Sequence, residues 1–134
     1  MNLLSANFTN GAINAGLLIL RVGLGVLMIP HGYDKIVKFN EYKTQFMNFL
    51  GLGQPISLGL DIFAEFFCAL LVVFGLFTRL ATIPLIIAMI VAVTMAHGGR
   101  IFADGEHAAL YAIGFLTLLI TGPGRYSADA MFRR

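Results

Sequence analysis

The first apolar block of the sequence, "LLILRVGLGVLMIPHG", contains an arginine at position 21. The guanidinium of Arg21 stays protonated in a protein, so it needs an anion, carbonyl oxygens or water as a partner. Ionisable groups within a membrane usually mark a function or a structural pair. The second apolar block offers a carboxylate, Glu65, near its middle. We therefore expect a buried ion pair between Arg21 and Glu65.

Helical spacing supports a close approach of the two blocks that carry this pair. Successive steps of four and three residues place several side chains on one face of each helix. In the first block this stripe contains Arg21, Gly25, Met28 and Gly32, and in the second it contains Asp61, Glu65, Cys68, Val72 and Gly75. Small residues at such positions allow membrane helices to pack closely.

Further polar residues extend this set into a candidate ligand or proton site. They are His31, Asp61, His97, Glu106, His107 and Tyr111. If the helices run antiparallel, these residues gather toward one membrane face with Arg21 deeper, which would form a polar funnel. Histidine suits proton exchange because it titrates near neutral pH. Tight HxxxH or HExxH spacing is absent from the sequence, so we expect no metal site.

Two interpretations of the Arg21–Glu65 pair stay open at this point. A buried ion pair can serve only to fix helix register, because removing one partner is costly. Alternatively, the pair belongs to a site that binds or moves something. The additional polar residues at one face favour the second interpretation.

The elements that must position these residues are apolar helices. The chain is 58% hydrophobic and 12% charged, whereas soluble domains carry about 25% charged residues. Apolar blocks at about 12–30, 56–77, 80–96 and 107–122 predict four membrane spans. Aromatic residues at helical spacing predict an interfacial amphipathic helix at about 35–50. We predict one all-α domain over 1–134, a four-helix transmembrane bundle with this amphipathic helix between the first two spans.

Composition and charge exclude several other classes. The net charge of +2 is scattered, which argues against nucleic-acid binding. Cys68 is the single cysteine, so the chain has no intrachain disulfide and no CxxC pair. No Lys or Arg precedes the first apolar block, which favours a retained helix over a signal peptide. Lys and Arg are equally numerous on both predicted sides, so they assign no orientation.

The sequence resembles the DoxX family of small four-helix membrane proteins over most of its length. The matching stretches are "LRVGLGVLMIPHGYDKI", "AEFFCALLVVFGLFTRLA", "ADGEHAALY" and "TGPGRYSADA". The family pattern falls on Arg21, His31, Gly32, Lys35, Glu65, Arg79, Gly122, Pro123, Gly124, Arg125, Tyr126, Ser127 and Asp129. Ala128 is a minor departure, because many relatives have leucine or isoleucine there.

This resemblance implies an integral protein of the prokaryotic cytoplasmic (inner) membrane. The family takes its name from a thiosulfate:quinone oxidoreductase, which implies a redox or quinone link. A quinone would then bind near His31, His97, His107 or Tyr111, although the sequence carries no cofactor motif of its own. The alternatives are a small transporter or lipid-binding protein, or a structural subunit of a larger complex. Expected partners are the lipid bilayer, a second copy of the chain or redox subunits, and enzymatic activity is left open.

Overall fold

The computed structural model describes residues 2–43, 51–96 and 105–132, and helices dominate these ranges. We label the helices in chain order. They are α1 (Asn10–Val37), α2 (Phe39–Tyr42), α3 (Gln54–Phe74), α4 (Thr78–Val91, continued by a π-helical turn over Ala92–Ala96), α5 (Glu106–Thr121) and α6 (Ala128–Phe132).

Helix α1 is 28 residues long and continues past the predicted end at residue 30. Thr9 caps its N-terminus, because the side-chain oxygen of Thr9 accepts a hydrogen bond from the backbone N–H of Ala12. Pro30 lies inside the helix, where it removes one backbone donor without ending the helix. Membrane helices tolerate such a proline because neighbouring groups satisfy the freed carbonyl. At about 1.5 Å per residue, α1 is about 42 Å long, longer than the ~30 Å hydrocarbon core.

Helix α3 is interrupted by a π-helical turn at the position of its carboxylate. The turn covers Phe63–Cys68, and regular α-helix precedes it over Gln54–Ile62 and follows it over Ala69–Phe74. A second π-helical turn ends α4. Such turns are rare in proteins and occur frequently at functional sites.

Helices α1 and α3 pack closely and run antiparallel along the glycine stripe. A Cβ atom on Gly32 would lie 2.8 Å from backbone atoms of Glu65 and Phe66, and one on Gly25 would lie 3.0 Å from the carbonyl oxygen of Ala69. Arg21, Gly25, Met28 and Gly32 are the buried residues of α1, as the spacing predicts. The stripe is therefore the packing face of this helix.

The bundle core is apolar and is shared by the four long helices. Met28 from α1, Cys68 and Val72 from α3, Leu85 from α4 and Phe115 from α5 are almost fully buried in one cluster. Cys68 is a packing residue within this cluster.

The outer surface of the bundle is also apolar. Ile19, Leu27, Phe67, Leu80 and Ile113 each expose half or more of their surface. A contiguous apolar exterior on a folded chain marks contact with an apolar surrounding phase. Helices α1 and α3 are long and apolar enough to cross a membrane, while the apolar helices α4 and α5 are shorter. The predicted all-α four-helix transmembrane bundle is confirmed.

The segment predicted as one amphipathic helix over 35–50 has a different structure in its described part. Residues 35–37 belong to the last turn of α1, and Phe39–Tyr42 forms a separate four-residue helix. The predicted aromatic positions Phe46 and Phe49 lie outside the described residues.

Candidate functional site

The charge in the first apolar block does not pair with Glu65, so the predicted Arg21–Glu65 ion pair is wrong. Arg21 donates from Nη1 to the carbonyl oxygen of Pro123 and from Nη2 to that of Tyr126, both at 2.8 Å. Arg21 is only 2% exposed, and its Nε atom has no hydrogen-bond partner among the described residues. The guanidinium therefore fixes the loop over residues 122–127, which we call the C-terminal loop.

Asp129 connects the end of the C-terminal loop to the turn between α3 and α4. Its carboxylate accepts hydrogen bonds from the backbone N–H groups of Phe77 and Thr78, at 2.7 and 2.9 Å. Its own N–H donates to the carbonyl oxygen of Gly75 at 2.8 Å. Asp129 thus satisfies orphan donors at the start of α4 and lies close enough to Arg21 for charge attraction.

We expect Asp129→Ala to lower the free energy of unfolding by about 1–2 kcal/mol, because two backbone donors at the start of α4 lose their acceptor. Asp129→Asn keeps one side-chain acceptor and should lose less. The measurement is the thermal unfolding midpoint in detergent. Unfolding is monitored by the reaction of a thiol-specific dye with Cys68, which is buried in the folded protein. Equal midpoints for the wild type and Asp129→Ala would show that the hydrogen bonds of Asp129 to the start of α4 contribute nothing to stability.

The residues of the matching stretch "TGPGRYSADA" therefore have structural contacts at the end of the bundle opposite to His31. Gly122 and Gly124 have φ angles of 80° and 85°, which favour glycine. The N–H of Arg125 donates to the side-chain oxygen of Asn14 at 2.9 Å. Ser127 donates from its hydroxyl to the carbonyl oxygen of Gly124 at 2.8 Å. These contacts close the loop over the N-terminal half of α1.

Glu65 has a different cationic partner, Lys35, near the other end of α1. The ammonium of Lys35 donates to Oε2 of Glu65 and to Oδ2 of Asp61. Glu65 is 4% exposed, so this contact is buried, whereas Asp61 is partly exposed. We call these three residues the Lys35 cluster. Because it bridges α1 and α3, the cluster occupies the structural role that the sequence suggested for Arg21 and Glu65.

A cavity of about 510 Å³ lies beside the Lys35 cluster, between the four long helices. Ligand-binding cavities in proteins typically have volumes of about 300–1,000 Å³. The walls are mostly apolar and include Met28, Met89 and Ala92. The polar lining residues are His31, Lys35, Ser57, Asp61, Glu65, His107 and Tyr111. The cavity thus combines apolar walls with a concentrated group of polar side chains.

Aromatic rings shape the side of the cavity formed by α1 and α5. The rings of His31 and Tyr111 meet edge to face with centroids 6.1 Å apart. Tyr111 stacks on Phe115, also at 6.1 Å, with an angle of 17° between the ring planes. His31 and His107 are exposed, which places them at the mouth of the cavity, and Glu65 lies deeper.

The cavity also reaches the outer, apolar surface of the bundle between α3 and α4. Leu60, Phe63 and Ile87 line the cavity, and each is about half exposed (49%, 50% and 49%). These apolar, half-exposed side chains lie at the edge of the cavity between α3 and α4. A lipophilic molecule therefore has a short path from the bilayer into the cavity.

The structure brings most of the predicted ligand-site residues together. His31, Asp61, His107 and Tyr111 line the same cavity as Glu65. Glu106 is exposed and does not line it, and His97 lies outside the described residues. Within residues 2–43, 51–96 and 105–132, no group of three or more His, Cys, Asp or Glu side chains could hold a metal ion.

Lys35 is the site residue that the sequence analysis missed. It was assigned to the amphipathic helix, although the resemblance already marked its position. The signal was present, because Lys35 lies three residues after Gly32 and continues the stripe through Arg21, Gly25 and Met28. Extending the first helix past Pro30 would have placed this lysine on the packing face.

Comparisons with known proteins support the family resemblance and the membrane character of the chain. The DoxX family model matches residues 16–98, more than half of the chain. The chain is 32% identical to inner membrane protein YqjF of Escherichia coli (strain K12), over 90% of this chain and 95% of that protein. It is 29% identical to the uncharacterized membrane protein Rv3486 of Mycobacterium tuberculosis (strain ATCC 25618 / H37Rv), over 82% of this chain and 77% of that protein. No solved structure matches. The chain belongs to the DoxX family and is an integral membrane protein.

Proposed function

We propose that this protein binds a quinone in the cavity between its four long helices, as a redox-linked subunit of the cytoplasmic (inner) membrane. The observation that carries the proposal is the cavity itself, with apolar walls, a polar group of side chains and access from the lipid-facing surface. A quinone has the matching shape and chemistry, because its head is a flat ring with two carbonyl acceptors and its tail is a hydrocarbon.

The donors and rings around the cavity suit a quinone head. Tyr111 and His107 carry N–H or O–H groups that can donate to a quinone carbonyl, as can His31 on the opposite helix. The ring of Tyr111 lines the cavity and can contact the quinone ring, while one of its faces stacks on Phe115. The tail would leave between α3 and α4 along Leu60, Phe63 and Ile87. Each part of the ligand thus has a counterpart of the same polarity.

We place the electron donor on another protein. The sequence has no dinucleotide fingerprint and no CxxC pair, so this chain carries no recognisable electron-transfer motif. A second redox subunit is the partner that this function requires, and a second copy of the chain could complete the binding surface for that subunit. The location agrees with that of the Escherichia coli relative, which is named an inner membrane protein.

The direct test is to purify the protein in mild detergent and to quantify the co-purifying quinone by chromatography and mass spectrometry. Decylubiquinone and a short-chain menaquinone are then titrated into quinone-free protein in nanodiscs. We expect about one quinone per cavity and saturable binding. An absence of co-purified quinone together with no saturable binding of either probe would overturn the proposal.

We expect the substitution Ala88→Phe to abolish quinone binding while the bundle stays folded. Ala88 lines the cavity, and a benzyl group there would occupy the space of the quinone ring. Ala15→Phe is the matched control, because Ala15 is exposed on α1 and does not line the cavity. Folding is checked by the protection of Cys68 from the thiol dye. Unchanged affinity in a folded Ala88→Phe variant would place the quinone elsewhere.

A further inference from the structure

The charges of the Lys35 cluster do not balance if all three groups are ionised. Among the described residues that line the cavity, the carboxylates are Asp61 and Glu65, and the only lysine or arginine is Lys35. One ammonium between two carboxylates leaves one excess negative charge. The facing groups on α5 are His107 and Tyr111, and α1 adds His31, while the lining residues of α4 are uncharged.

An excess charge at this position is costly. Glu65 is 4% exposed, and the surrounding walls are apolar. A buried charge without a full counter-charge is strongly destabilising, and membrane surroundings add to that cost. Retaining one proton on the carboxyl pair removes the excess charge without any other ligand.

The geometry of the two carboxyl groups fits one shared proton. Asp61 and Glu65 lie one helical turn apart on α3, and both accept a hydrogen bond from the same Lys35 ammonium, which brings their carboxyl groups close together. Ionised carboxylates are acceptors only, so a hydrogen bond between two carboxyl groups requires a proton on one of them. Glu65 is the more buried of the two, and it is therefore the better site for the proton.

We propose that the Lys35 cluster retains one proton at neutral pH. Asp61 and Glu65 share this proton in the ligand-free protein, and Glu65, which mainly carries it, turns its O–H from Asp61 to a carbonyl oxygen of the cavity ligand when the ligand binds. The identity of that ligand as a quinone rests on the function proposed above. The protonated cluster is electrically neutral, so it selects a neutral molecule with a hydrogen-bond acceptor over a lipophilic cation.

The proton is tested in ligand-free protein by infrared spectroscopy of the carboxyl C=O stretch, with exchange into D₂O. We expect a protonated-carboxyl band in the wild type at pH 7. Both Glu65→Gln and Asp61→Asn should abolish it, because one carboxylate and Lys35 then balance each other. The exposed Glu106 supplies a control, since Glu106→Gln should keep the band. A wild-type spectrum without the band would contradict the proposal that Asp61 and Glu65 share a proton. A band that persists in Asp61→Asn or Glu65→Gln would contradict it as well.

The hydrogen bond to the ligand is tested by titrating decylubiquinone into the same nanodiscs. Glu65→Gln should keep the affinity within about threefold, because its amide N–H replaces the acid O–H, while Glu65→Ala should lose roughly tenfold. Tetraphenylphosphonium, a lipophilic cation, should not compete. If the wild-type protein shows the carboxyl band but binds no quinone, the proposed quinone binding is wrong, while the proton shared by Asp61 and Glu65 is supported. If quinone binds and Glu65→Ala binds equally well, or the cation competes, the donor role of Glu65 fails.

Discussion

Replacing Arg21 with leucine is expected to destabilise the protein more than any other single substitution in the bundle. The substitution leaves the carbonyl oxygens of Pro123 and Tyr126 without their donor inside the fold. It also removes the positive charge that faces the carboxylate of Asp129. Breaking a buried charged contact costs roughly 3–5 kcal/mol. The thermal unfolding midpoint should fall by about 10–20 °C for a chain of this size.

Two variants define which property of Arg21 matters. Arg21→Lys keeps the charge but cannot donate to two carbonyl oxygens with a planar fork, so we expect an intermediate midpoint. Arg125→Leu is the matched control in the same loop, because the Arg125 side chain is exposed and only its backbone N–H is used. The midpoint is read from dye labelling of Cys68. A loss in Arg125→Leu as large as that in Arg21→Leu would contradict the special role of Arg21.

The apolar blocks were sufficient to predict the class of fold. Four stretches of low charge in a short chain leave few arrangements other than a helical membrane bundle, because only internally bonded backbone is stable in lipid. The stripe of Arg21, Gly25 and Met28 was also predictable, since 3.6-residue periodicity fixes which side chains share a face. Local pattern thus determined both the helices and the packing face of α1.

The partner of Arg21 was not predictable, because the relative shift of two helices along their axes depends on how they pack and not on the local sequence of either one. The sequence analysis ended the first helix at Pro30 and so placed Glu65 level with Arg21. In the structure Glu65 lies opposite Gly32, eleven residues along α1 from Arg21, which corresponds to about 16 Å. The guanidinium instead donates to backbone carbonyl groups, which every residue has, so the sequence gives no signal for them.

The candidate cavity was predictable only in outline. Antiparallel topology alone gathers His31, Asp61 and His107 at one face, which is where the structure places them. The volume between the helices depends on how the apolar walls pack, and α3 contains a π-helical turn at Phe63–Cys68 beside it. Neither property follows from hydropathy or spacing.

Arg21 and Lys35 lie toward opposite ends of α1 and make different kinds of contact. Arg21 fixes the C-terminal loop over one end of the helices, and it does not line the cavity. Lys35 holds two carboxyl groups beside the cavity at the other end. The first arrangement accounts for stability through backbone contacts. The second leaves titratable groups facing a cavity, an arrangement that is frequent at functional sites.

The second large effect is expected at Gly32, where α1 and α3 are in closest contact. In Gly32→Ala the new Cβ atom would lie 2.8 Å from the carbonyl carbon of Glu65 and from the backbone nitrogen of Phe66. Backbone atoms cannot move aside as a flexible side chain can, so the two helices must separate. Overpacking of this kind costs about 1–3 kcal/mol. We expect a lower unfolding midpoint and, because Lys35 lies one turn further along α1, a weaker Lys35 cluster.

Gly23 provides the matched control on the same helix. A Cβ atom there has nothing within 4 Å, so Gly23→Ala should be neutral, or should stabilise the helix by about 0.5–1 kcal/mol because alanine loses less backbone entropy than glycine. Both variants are compared by the Cys68 labelling midpoint and by quinone affinity. Gly32→Ala should lower both quantities, since it moves Glu65 relative to the cavity, and Gly23→Ala should lower neither. If Gly32→Ala kept the wild-type midpoint, α1 and α3 could not be as close in the membrane as the glycine contact requires.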